Sequence, residues 1–411
     1  MIYDLIVIGG GAAGFFAAIA HAESGGGSTL IVERASSVLA KVKISGRGRC
    51  NVTHACFAPK ELTKNYPRGS KALLGPLHRF GVEDTIEWFR SRGVELKTEA
   101  DGRMFPTTDR SQTIIDCLEG AASSAGVEVR TGCGVREIAP GEIFALETDH
   151  GEKLEARHVL VATGGTRLAA GARLATLLGH SLETAVPSLF TFKIRDPRFE
   201  GLPGVAVAET ECRVIGSKLV SSGPLLITHH GVSGPGILRL SAWGARDLAD
   251  VGYRFTLQVN WLPGVEGAAV AEVFSGQRES AGKQKIETRS PFPVIPKRLW
   301  VRMIEAAGIP LEQTWADLNK NQRKALVSEL TRAQFEVVGK SLNKDEFVTC
   351  GGVRLKEINP KTMESRLCPG LYFAGEVTDV DGITGGFNFQ NAWTSGHLAG
   401  VAAANAGSDD A

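Results

Sequence analysis

A glycine-rich turn near the start of the chain constrains the fold more than any other feature. Tyr3 to Ile8 is a short, nearly all-apolar run, which predicts a central parallel strand covered on both faces. Gly9, Gly11 and Gly14 follow with the spacing G-x-G-x-x-G, and the segment AAGFFAAIAHAE then predicts a helix. A second strand is predicted at Thr29 to Glu33. This order of elements is typical of a domain that binds a dinucleotide.

Each residue of the turn has a predicted role. Gly9 allows a tight turn, Gly11 removes the Cβ that would block a pyrophosphate, and Gly14 lets the helix approach the strand. The start of the helix offers unpaired amide protons to phosphate groups. Glu33 lies 19 residues after Gly14, where its carboxylate can accept hydrogen bonds from ribose hydroxyls. An acid at this position disfavours a 2′-phosphate, so NAD or FAD is predicted rather than NADP.

The far end of the chain favours FAD over NAD. A strand predicted at Leu371 to Ala374 ends in Gly375 and Glu376, and Gly385 and Gly386 open a final helix. On reduction, the isoalloxazine of FAD gains negative charge at N1 and O2, which the N-terminus of a helix stabilises. NAD has no comparable requirement.

Further motifs resemble one group of flavoproteins. The strand and turn HVLVATGG (158–165) lies between the two ends, and the three turns in this order resemble the FAD-contacting parts of flavoproteins with two dinucleotide-binding domains. Four segments, KISGRGRCNVTH (43–54), GRMFPTTDRS (102–111), LLITHHGVSGPGIL (225–238) and the stretch from TCGGVR to NAWTSG (349–396), are similar to a narrower bacterial family. This family of NAD(P)/FAD-dependent oxidoreductases includes the bile-acid-inducible-operon flavoprotein and aminoacetone oxidase-like proteins.

The motifs and the resemblance together imply non-covalent FAD, with NAD(P)H as a transient electron donor. They assign catalysis to Arg49, Asn51 and His229. They assign cofactor binding to Gly9, Gly11, Ala12, Ala13, Gly14, Glu33, Arg34, Lys41, Ser45, Gly46, Gly48, Arg49, Cys50, Asn51, Val135, Ala162, Thr163, Gly164, Gly165, Gly375, Glu376, Asp379, Gly385, Gly386, Phe387 and Asn388. No metal site is predicted, because no His, Cys, Asp or Glu cluster has a convincing ligand spacing.

The resemblance places the segment from Ser45 to Asn51 along the FAD, up to the flavin ring. Gly46 and Gly48 allow positive φ and a close backbone approach to the ligand. Arg49 offers a planar donor fork to the pyrophosphate, to an anionic substrate or to the reduced flavin. Asn51 can donate and accept a hydrogen bond at the edge of the ring.

The cysteines favour packing roles over redox chemistry. The seven cysteines form no Cys-x-x-Cys pair, which predicts reduced thiols in a cytoplasmic protein. Disulfide reductases carry a Cys-x4-Cys pair beside the flavin, whereas five residues separate Cys50 from Cys56 here. A dithiol relay through these two cysteines is therefore the alternative, and Cys50 is expected to be a small packing residue.

The predicted fold class is α/β, with an inserted domain. A Rossmann-like FAD-binding domain is expected from residues 1–186 and 347–411. Residues 187–346 are expected to form an inserted substrate or cap domain, β-rich and barrel-like, because short alternating strands are separated by Pro and Gly turns. Within this domain, apolar residues at three- and four-residue intervals predict a small helical subdomain over about 263–336.

The predicted function is hydride transfer between NAD(P)H and a small organic substrate. The resemblance implies reduction of a conjugated C=C bond or oxidation of a small amine, and His229 is a candidate to donate or relay a proton. An oxygen-using amine oxidase, an RNA-modifying flavoprotein and a non-catalytic FAD-bound scaffold stay open. With 46 basic and 45 acidic side chains, nucleic acid is not expected as a partner, and the basic stretch 281–298 is the best support for RNA. No stretch is apolar enough to predict a membrane span.

Overall fold

The computed structural model describes residues 1–165, 170–341 and 348–406. The strands are β1 (Ile2–Ile8), β2 (Thr29–Val32), β3 (Thr53–His54), β4 (Leu96–Thr98), β5 (Arg103–Pro106), β6 (Glu128–Arg130), β7 (Val135–Ala139), β8 (Phe144–Thr148), β9 (Lys153–Val161), β10 (Leu182–Ser188), β11 (Thr191–Ile194), β12 (Ala206–Val214), β13 (Val220–Thr228), β14 (Gly231–Ser233), β15 (Phe255–Asn260), β16 (Ala333–Ser341), β17 (Val348–Val353) and β18 (Leu371–Phe373). The helices are α1 (Ala12–Glu23), α2 (Ala40–Gly48), α3 (Pro59–Thr63), α4 (Ser70–Arg79), α5 (Val82–Arg90), α6 (Ser111–Ser124), α7 (Ala170–Leu177), α8 (Pro235–Trp243), α9 (Ala245–Asp250), α10 (Gly267–Ala281), α11 (Lys297–Ala306), α12 (Lys320–Thr331) and α13 (Phe387–Asn405).

The chain divides into two compact units. The first contains Met1–Ser188 and Lys344–Ala411, and the second contains Leu189–Asn343. The first unit is therefore built from both ends of the chain, and each unit has its own hydrophobic core.

The first unit is organised around one large sheet. Within the described residues its strand order is β6-β2-β1-β9-β8-β7, and β18 also pairs with β9. β1 lies at the centre, parallel to β2 on one side and to β9 on the other, and Leu5, Ile6 and Val7 are almost fully buried. A short, fully buried strand of this composition is typical of a parallel sheet covered on both faces. The carboxyl ends of β1, β9 and β18 therefore meet at one edge, where ligands bind in such folds.

Helices α1 and α13 pack closely within the first unit. A Cβ placed on Gly396 would lie 2.5 Å from the Ala13 carbonyl oxygen, and one on Gly400 would lie 2.1 Å from the Ala17 carbonyl oxygen. These two glycines, four residues apart on one face of α13, let its backbone touch that of α1. The C-terminal helix thus fixes the last part of the chain against the first helix.

The second unit is a barrel with attached helices. In its described part, the antiparallel strands β11-β14-β13-β12-β15-β16 form a closed barrel. The helices α10, α11 and α12 follow β15 in sequence and share a core that includes the buried Trp300 and Trp315. The indole of Trp300 donates a hydrogen bond to the Ile286 carbonyl oxygen at 2.9 Å, so this large side chain is buried without losing its polar partner.

The predicted fold class is confirmed: a Rossmann-type α/β unit is interrupted by a barrel that carries a group of helices. One local difference lies at the end of the helical segment, where residues 333–336 belong to β16 rather than to the helices. Within residues 1–165, 170–341 and 348–406, no helix combines the length and the hydrophobicity needed to cross a membrane.

Candidate active site

The turn between β1 and α1 uses its three motif glycines in two different ways. Gly9 has a φ of +115°, and a Cβ placed on it would lie 2.5 Å from the Ala162 carbonyl oxygen. A Cβ on Gly14 would lie 2.0 Å from the Gly9 carbonyl oxygen. Gly11 is different, because a Cβ placed on it would have no atom within 4 Å apart from those of Gly11 and its two chain neighbours. The protein itself requires Gly9 and Gly14, whereas the space at Gly11 is open beside the first amides of α1, which have no acceptor within the helix.

Glu33 holds this turn from the end of β2. Its Oε2 accepts the Gly10 N–H at 2.8 Å, and its Oε1 accepts the Ala35 N–H at 2.8 Å. Each carboxylate oxygen keeps a second lone pair. Glu33 can therefore support the turn and still accept a ribose hydroxyl, which is the role predicted for it.

Arg34 and Val135, two further predicted cofactor residues, lie near Glu33. The Cys133 N–H donates to the Glu33 carbonyl oxygen at 2.8 Å, which brings the segment before β7 beside the end of β2. Val135 is buried at the start of β7. Arg34 is exposed, and its Nε lies 3.1 Å from Asp149 Oδ2. The Arg34 guanidinium thus already has an acidic partner.

The predicted turn Ala162–Gly165, after β9, lies beside Glu376. A Cβ on Gly165 would lie 2.1 Å from Thr349 Oγ1 and 2.8 Å from Glu376 Oε1, so only glycine fits there. Glu376 Oε1 accepts the Thr349 N–H at 2.8 Å, and its Oε2 accepts from Lys41. This carboxylate therefore connects the turn after β9, the start of α2 and strand β17.

The turn after β18 lies against the start of α1. A Cβ on Gly375 would lie 2.9 Å from the Ala13 Cβ, and the Gly375 N–H donates to Ser395 Oγ at 2.9 Å. Ala13 is buried, and Ala12 beside it is half-buried. The structure therefore brings the glycine-rich turns from the two ends of the chain together in the first unit.

The loop before α13 is held by its own polar side chains. Asp381 is fully buried, where it pairs with the Arg68 guanidinium and accepts from the Ser188 hydroxyl at 2.8 Å. The Asn388 amide donates to the Gly382 carbonyl oxygen at 2.9 Å and accepts the Gly382 N–H at 2.8 Å. Asn388 therefore supports the loop with its side chain, and its backbone amide is left at the start of α13.

Two further residues were predicted to contact the cofactor: Asp379 lies in the same loop, and Phe387 begins α13. Asp379 is half-buried, and its N–H donates to the Val353 carbonyl oxygen at 3.1 Å. Phe387 is buried, and its carbonyl oxygen accepts the Tyr66 hydroxyl at 2.7 Å. These contacts fix the loop to β17 and to the segment before α4.

The segment Ser45–Asn51 has an unusual backbone. Gly46 and Gly48 have φ values of +56° and +81°, as predicted, and Arg47 and Cys50 also have positive φ, at +59° and +61°. Left-handed conformations at residues with a side chain are uncommon and are held by the surrounding structure. Positive φ was predictable from the sequence at the two glycines but not at Arg47 and Cys50.

The two candidate redox cysteines are poorly suited to a dithiol relay. Cys50 is fully buried, and burial raises its pKa to about 12. Cys56 is half-buried, and burial raises its pKa as well. Both cysteines are free thiols. Because the thiolate is the reactive form, these environments disfavour the relay.

Arg49 is held by acidic and aromatic neighbours. Its Nη1 lies 2.6 Å from Glu99 Oε1 and 3.5 Å from Asp109 Oδ1, and the hydrogen bond to Glu99 raises its pKa. The guanidinium also lies 4.0 Å from the centre of the Phe105 ring. The positive charge predicted to face the ligand is thus already balanced by two carboxylates, and its role at a ligand stays a prediction.

Asn51 also has protein partners, and so does His54, a residue of the same segment that was not predicted to belong to the site. With its amide oriented to satisfy both groups, the nitrogen lies 3.0 Å from the Thr53 oxygen and 3.3 Å from the Met104 oxygen, and Asn51 Oδ1 accepts the Gly386 N–H at 3.0 Å. His54 Nδ1 lies 3.2 Å from the Gly385 carbonyl oxygen. The only signal for His54 was its place at the end of the segment 43–54.

His229 lies in the second unit, in the turn between β13 and β14. Both His229 and His230 are exposed, and the His230 carbonyl oxygen accepts the Ile194 N–H at 3.0 Å. The catalytic role of His229 stays a prediction. Across the described ranges, no group of three His, Cys, Asp or Glu side chains is arranged to hold a metal ion.

A Rossmann-type sheet with glycine-rich turns at the ends of β1, β9 and β18, gathered at the start of α1, defines the class of FAD-dependent oxidoreductases. The family model described as "HI0933-like protein Rossmann domain" matches residues 3–402, so the chain belongs to this family. The family resemblance seen in the sequence motifs is confirmed.

Curated relatives match most of the chain over nearly their own full length. The 3-dehydro-bile acid delta(4,6)-reductase of Clostridium scindens is 30% identical over 385 residues, which cover 91% of this chain and 92% of the relative. The ribosomal RNA dihydrouridine synthase of Escherichia coli is 31% identical over 377 residues, which cover 89% of each.

Solved structures share the fold at low sequence identity. The 3-ketosteroid delta1-dehydrogenase of Sterolibacterium denitrificans, in complex with 1,4-androstadiene-3,17-dione, is similar with a TM-score of 0.54 and 12% identity. The match covers 98% of this chain and 100% of that structure.

Proposed function

We propose that this FAD-dependent oxidoreductase uses NAD(P)H to reduce a C=C bond conjugated to a carbonyl group in an organic substrate. FAD is bound non-covalently by residues 1–186 and 347–411, and residues 187–346 form the substrate domain. The overall reaction consumes NAD(P)H and a proton and adds two hydrogens across the double bond.

One observation gives the main support for the FAD site. Of the three motif glycines, only Gly11 faces open space, and this space lies at the start of α1, against which Gly375 packs from the other end of the chain. A bound pyrophosphate needs such a backbone surface, free of a Cβ and lined by unpaired amides. The residues present therefore fit the cofactor.

The roles of the chain follow from this position. The amides from Gly11 to Gly14 bind the pyrophosphate, and Glu33 accepts a ribose hydroxyl. The amides that begin α13, at Phe387 and Asn388, would stabilise the reduced isoalloxazine, since a helix N-terminus favours negative charge. When bound, FAD supplies the hydride-transfer chemistry.

The names of the relatives support the substrate class. One relative is a delta(4,6)-reductase of a 3-dehydro-bile acid, and the other forms dihydrouridine. In chemical terms, both names describe the saturation of a C=C bond in a molecule that also carries a carbonyl group. The shared chemistry, rather than either substrate, is what we assign to this chain.

The test is an anaerobic reduction followed by turnover. Purified protein with bound FAD is mixed with NADH or NADPH, and its absorbance is followed before and after addition of 4-androstene-3,17-dione. We expect the nicotinamide to bleach the flavin and the enone to restore its colour, with a product two mass units heavier. Failure of both NADH and NADPH to bleach the flavin would contradict NAD(P)H as the electron donor. Oxygen consumption with an amine would indicate an oxidase.

A second candidate, reduction of uracil in ribosomal RNA, is favoured by the charge of the inserted unit. This unit contains 20 Lys and Arg against 15 Asp and Glu, whereas the first unit contains 26 against 30. In the stretch 281–298, all five basic side chains are exposed. This second candidate is tested by incubating an unmodified ribosomal RNA transcript with the protein and NADPH. Nucleosides two mass units heavier than uridine would support reduction of uracil.

A further inference from the structure

The peptide that joins Gly385 to Gly386 is held at both ends by one short segment. His54 Nδ1 lies 3.2 Å from the Gly385 carbonyl oxygen, and Asn51 Oδ1 accepts the Gly386 N–H at 3.0 Å. This carbonyl and this N–H belong to the same planar peptide group and point in opposite directions in a trans peptide. Two side chains therefore hold one rigid plane from its two sides.

The ring of His54 is fixed in one orientation. Because a carbonyl oxygen can only accept, Nδ1 must carry the proton. The ring lies 4.8 Å from the Phe387 ring at an interplanar angle of 31°, and its other nitrogen, Nε2, would lie 2.6 Å from a Cβ on Gly102. Burial lowers the pKa of His54, which favours the neutral ring. The donor is thus aimed at Gly385, with the ring packed against that of Phe387.

Asn51 is similarly fixed. Its amide nitrogen faces the Thr53 and Met104 carbonyl oxygens, on β3 and β5, and its oxygen faces Gly386. Both amide protons are therefore directed at backbone acceptors. The side chain links a small sheet to the start of α13.

The local sequence explains why such a lock is needed. Gly385 and Gly386 have φ values of +134° and +97°, and a Cβ on Gly386 would lie 2.4 Å from the Thr53 carbonyl oxygen. Close backbone contact thus requires glycine, but a peptide between two glycines rotates more freely than any other. A rotation would remove both hydrogen bonds and redirect the amides that begin α13.

We propose that Asn51 and His54 are positioning residues that lock the Gly385–Gly386 peptide and so aim the first amides of α13 at the isoalloxazine of FAD. This inference rests on the proposed FAD site. It replaces a direct contact of Asn51 with the ring by an indirect role, and it gives His54 a role that no motif assigned.

The test is a double-mutant cycle read by FAD binding and reduction potential. Asn51→Ala, His54→Phe and the double variant are compared with wild type by titrating each apoprotein with FAD and by measuring the two-electron potential. His54→Asn keeps a donor near the position of Nδ1. His150→Phe is the matched control, because His150 Nε2 also lies 3.2 Å from a glycine carbonyl oxygen, that of Gly132.

We expect each single variant to bind FAD about tenfold more weakly, as for the loss of the one hydrogen bond that each side chain makes to the Gly385–Gly386 peptide. The double variant should bind FAD no more weakly than the weaker-binding single variant. Loss of the hydrogen bond at either end frees the same Gly385–Gly386 peptide plane. The potential should fall in all three variants, and His54→Asn and His150→Phe should resemble wild type. The proposed lock would be overturned by additive losses of FAD affinity, by unchanged reduction potentials, or by a failure of His54→Asn to restore FAD binding.

Folding is followed in parallel by chemical denaturation. If His54→Phe does not fold, His54→Asn and Asn51→Ala still decide the question by the same titration and potential. A wild-type protein that binds no FAD would refute the proposed function instead, so the two failures are distinguishable.

Discussion

His21 is a residue whose burial gives the protein a measurable acid sensitivity. It is fully buried in α1, its Nδ1 lies 2.8 Å from Thr29 Oγ1, and burial lowers its pKa to about 4. The nearby charged or titratable groups are His158, which lowers this pKa further, and Asp4, which raises it. The folded state therefore contains a neutral imidazole where the unfolded chain, with a pKa of about 6.5, binds a proton.

The free energy of unfolding should consequently fall as the pH drops from about 6.5 towards 4. At pH 5 the contribution of His21 is a loss of about 2 kcal/mol, from 1.36 kcal/mol per unit of pKa. Denaturation midpoints of wild type and His21→Gln, measured at pH 7 and pH 5, check this, with His150→Gln as an exposed control. We expect a smaller pH effect in His21→Gln only. An equal pH effect in all three proteins would contradict the assignment.

Residue by residue, sequence predicts the roles that depend on the local chain. The spacing of Gly9 and Gly14 follows from the geometry of one strand, turn and helix, so a motif is enough to find them. The partners of Arg49 could not be predicted, because Glu99 and Asp109 lie 50 and 60 residues away and meet it only in the folded unit. Asn51 shows the same limit, since the Gly386 N–H that donates to its Oδ1 comes from the far end of the chain.

The contact between α1 and α13 is the element that joins the two ends of the chain. A Cβ on Gly400 would lie 2.1 Å from the Ala17 carbonyl oxygen, so Gly400→Ala must push the helices apart and should cost about 3 kcal/mol. Gly120 in α6 is the matched control, because a Cβ there meets no atom within 4 Å. Gly120→Ala should stabilise the protein by about 0.5–1 kcal/mol through its helix propensity.

Denaturation midpoints of the two variants at the same pH test this pair of expectations. Opposite shifts relative to wild type are the expected outcome. If Gly400→Ala is as stable as wild type, the two helices do not touch through these backbones.

Elements with a strong apolar pattern, bounded by glycine or proline turns, were predictable. β1, α1 and β2 follow from an apolar run, a glycine turn and a second apolar run, and the structure has them within one residue of the predicted ends. β16 was missed because Ala333–Ser341 follows α12 with no Pro or Gly between the helical and the alternating pattern. Its strand conformation comes from pairing with β11 and β15 in the barrel, which is a tertiary effect.

At the scale of the whole molecule, one unit is built from both ends of the chain. β18 extends the sheet that begins with β1, since Leu371 pairs with Val159 of β9 in parallel register. The sequence favoured this arrangement because each end carries a strand followed by glycines that open a helix. The function of the inserted unit could not be inferred from such motifs, because substrate domains share no comparable signature.

The most direct test of the central claim is FAD binding by Gly11→Val. Gly11 has a φ of −92°, and a Cβ there meets no atom within 4 Å, so the substitution should leave the fold intact while it fills the path of the pyrophosphate. The measurement is a titration of wild-type and Gly11→Val apoproteins with FAD, with Gly120→Ala as a control and the denaturation midpoint of each recorded. We predict that wild type and Gly120→Ala bind one FAD and that Gly11→Val, with an unchanged midpoint, binds none; a Gly11→Val protein that binds FAD as tightly as wild type would contradict the account.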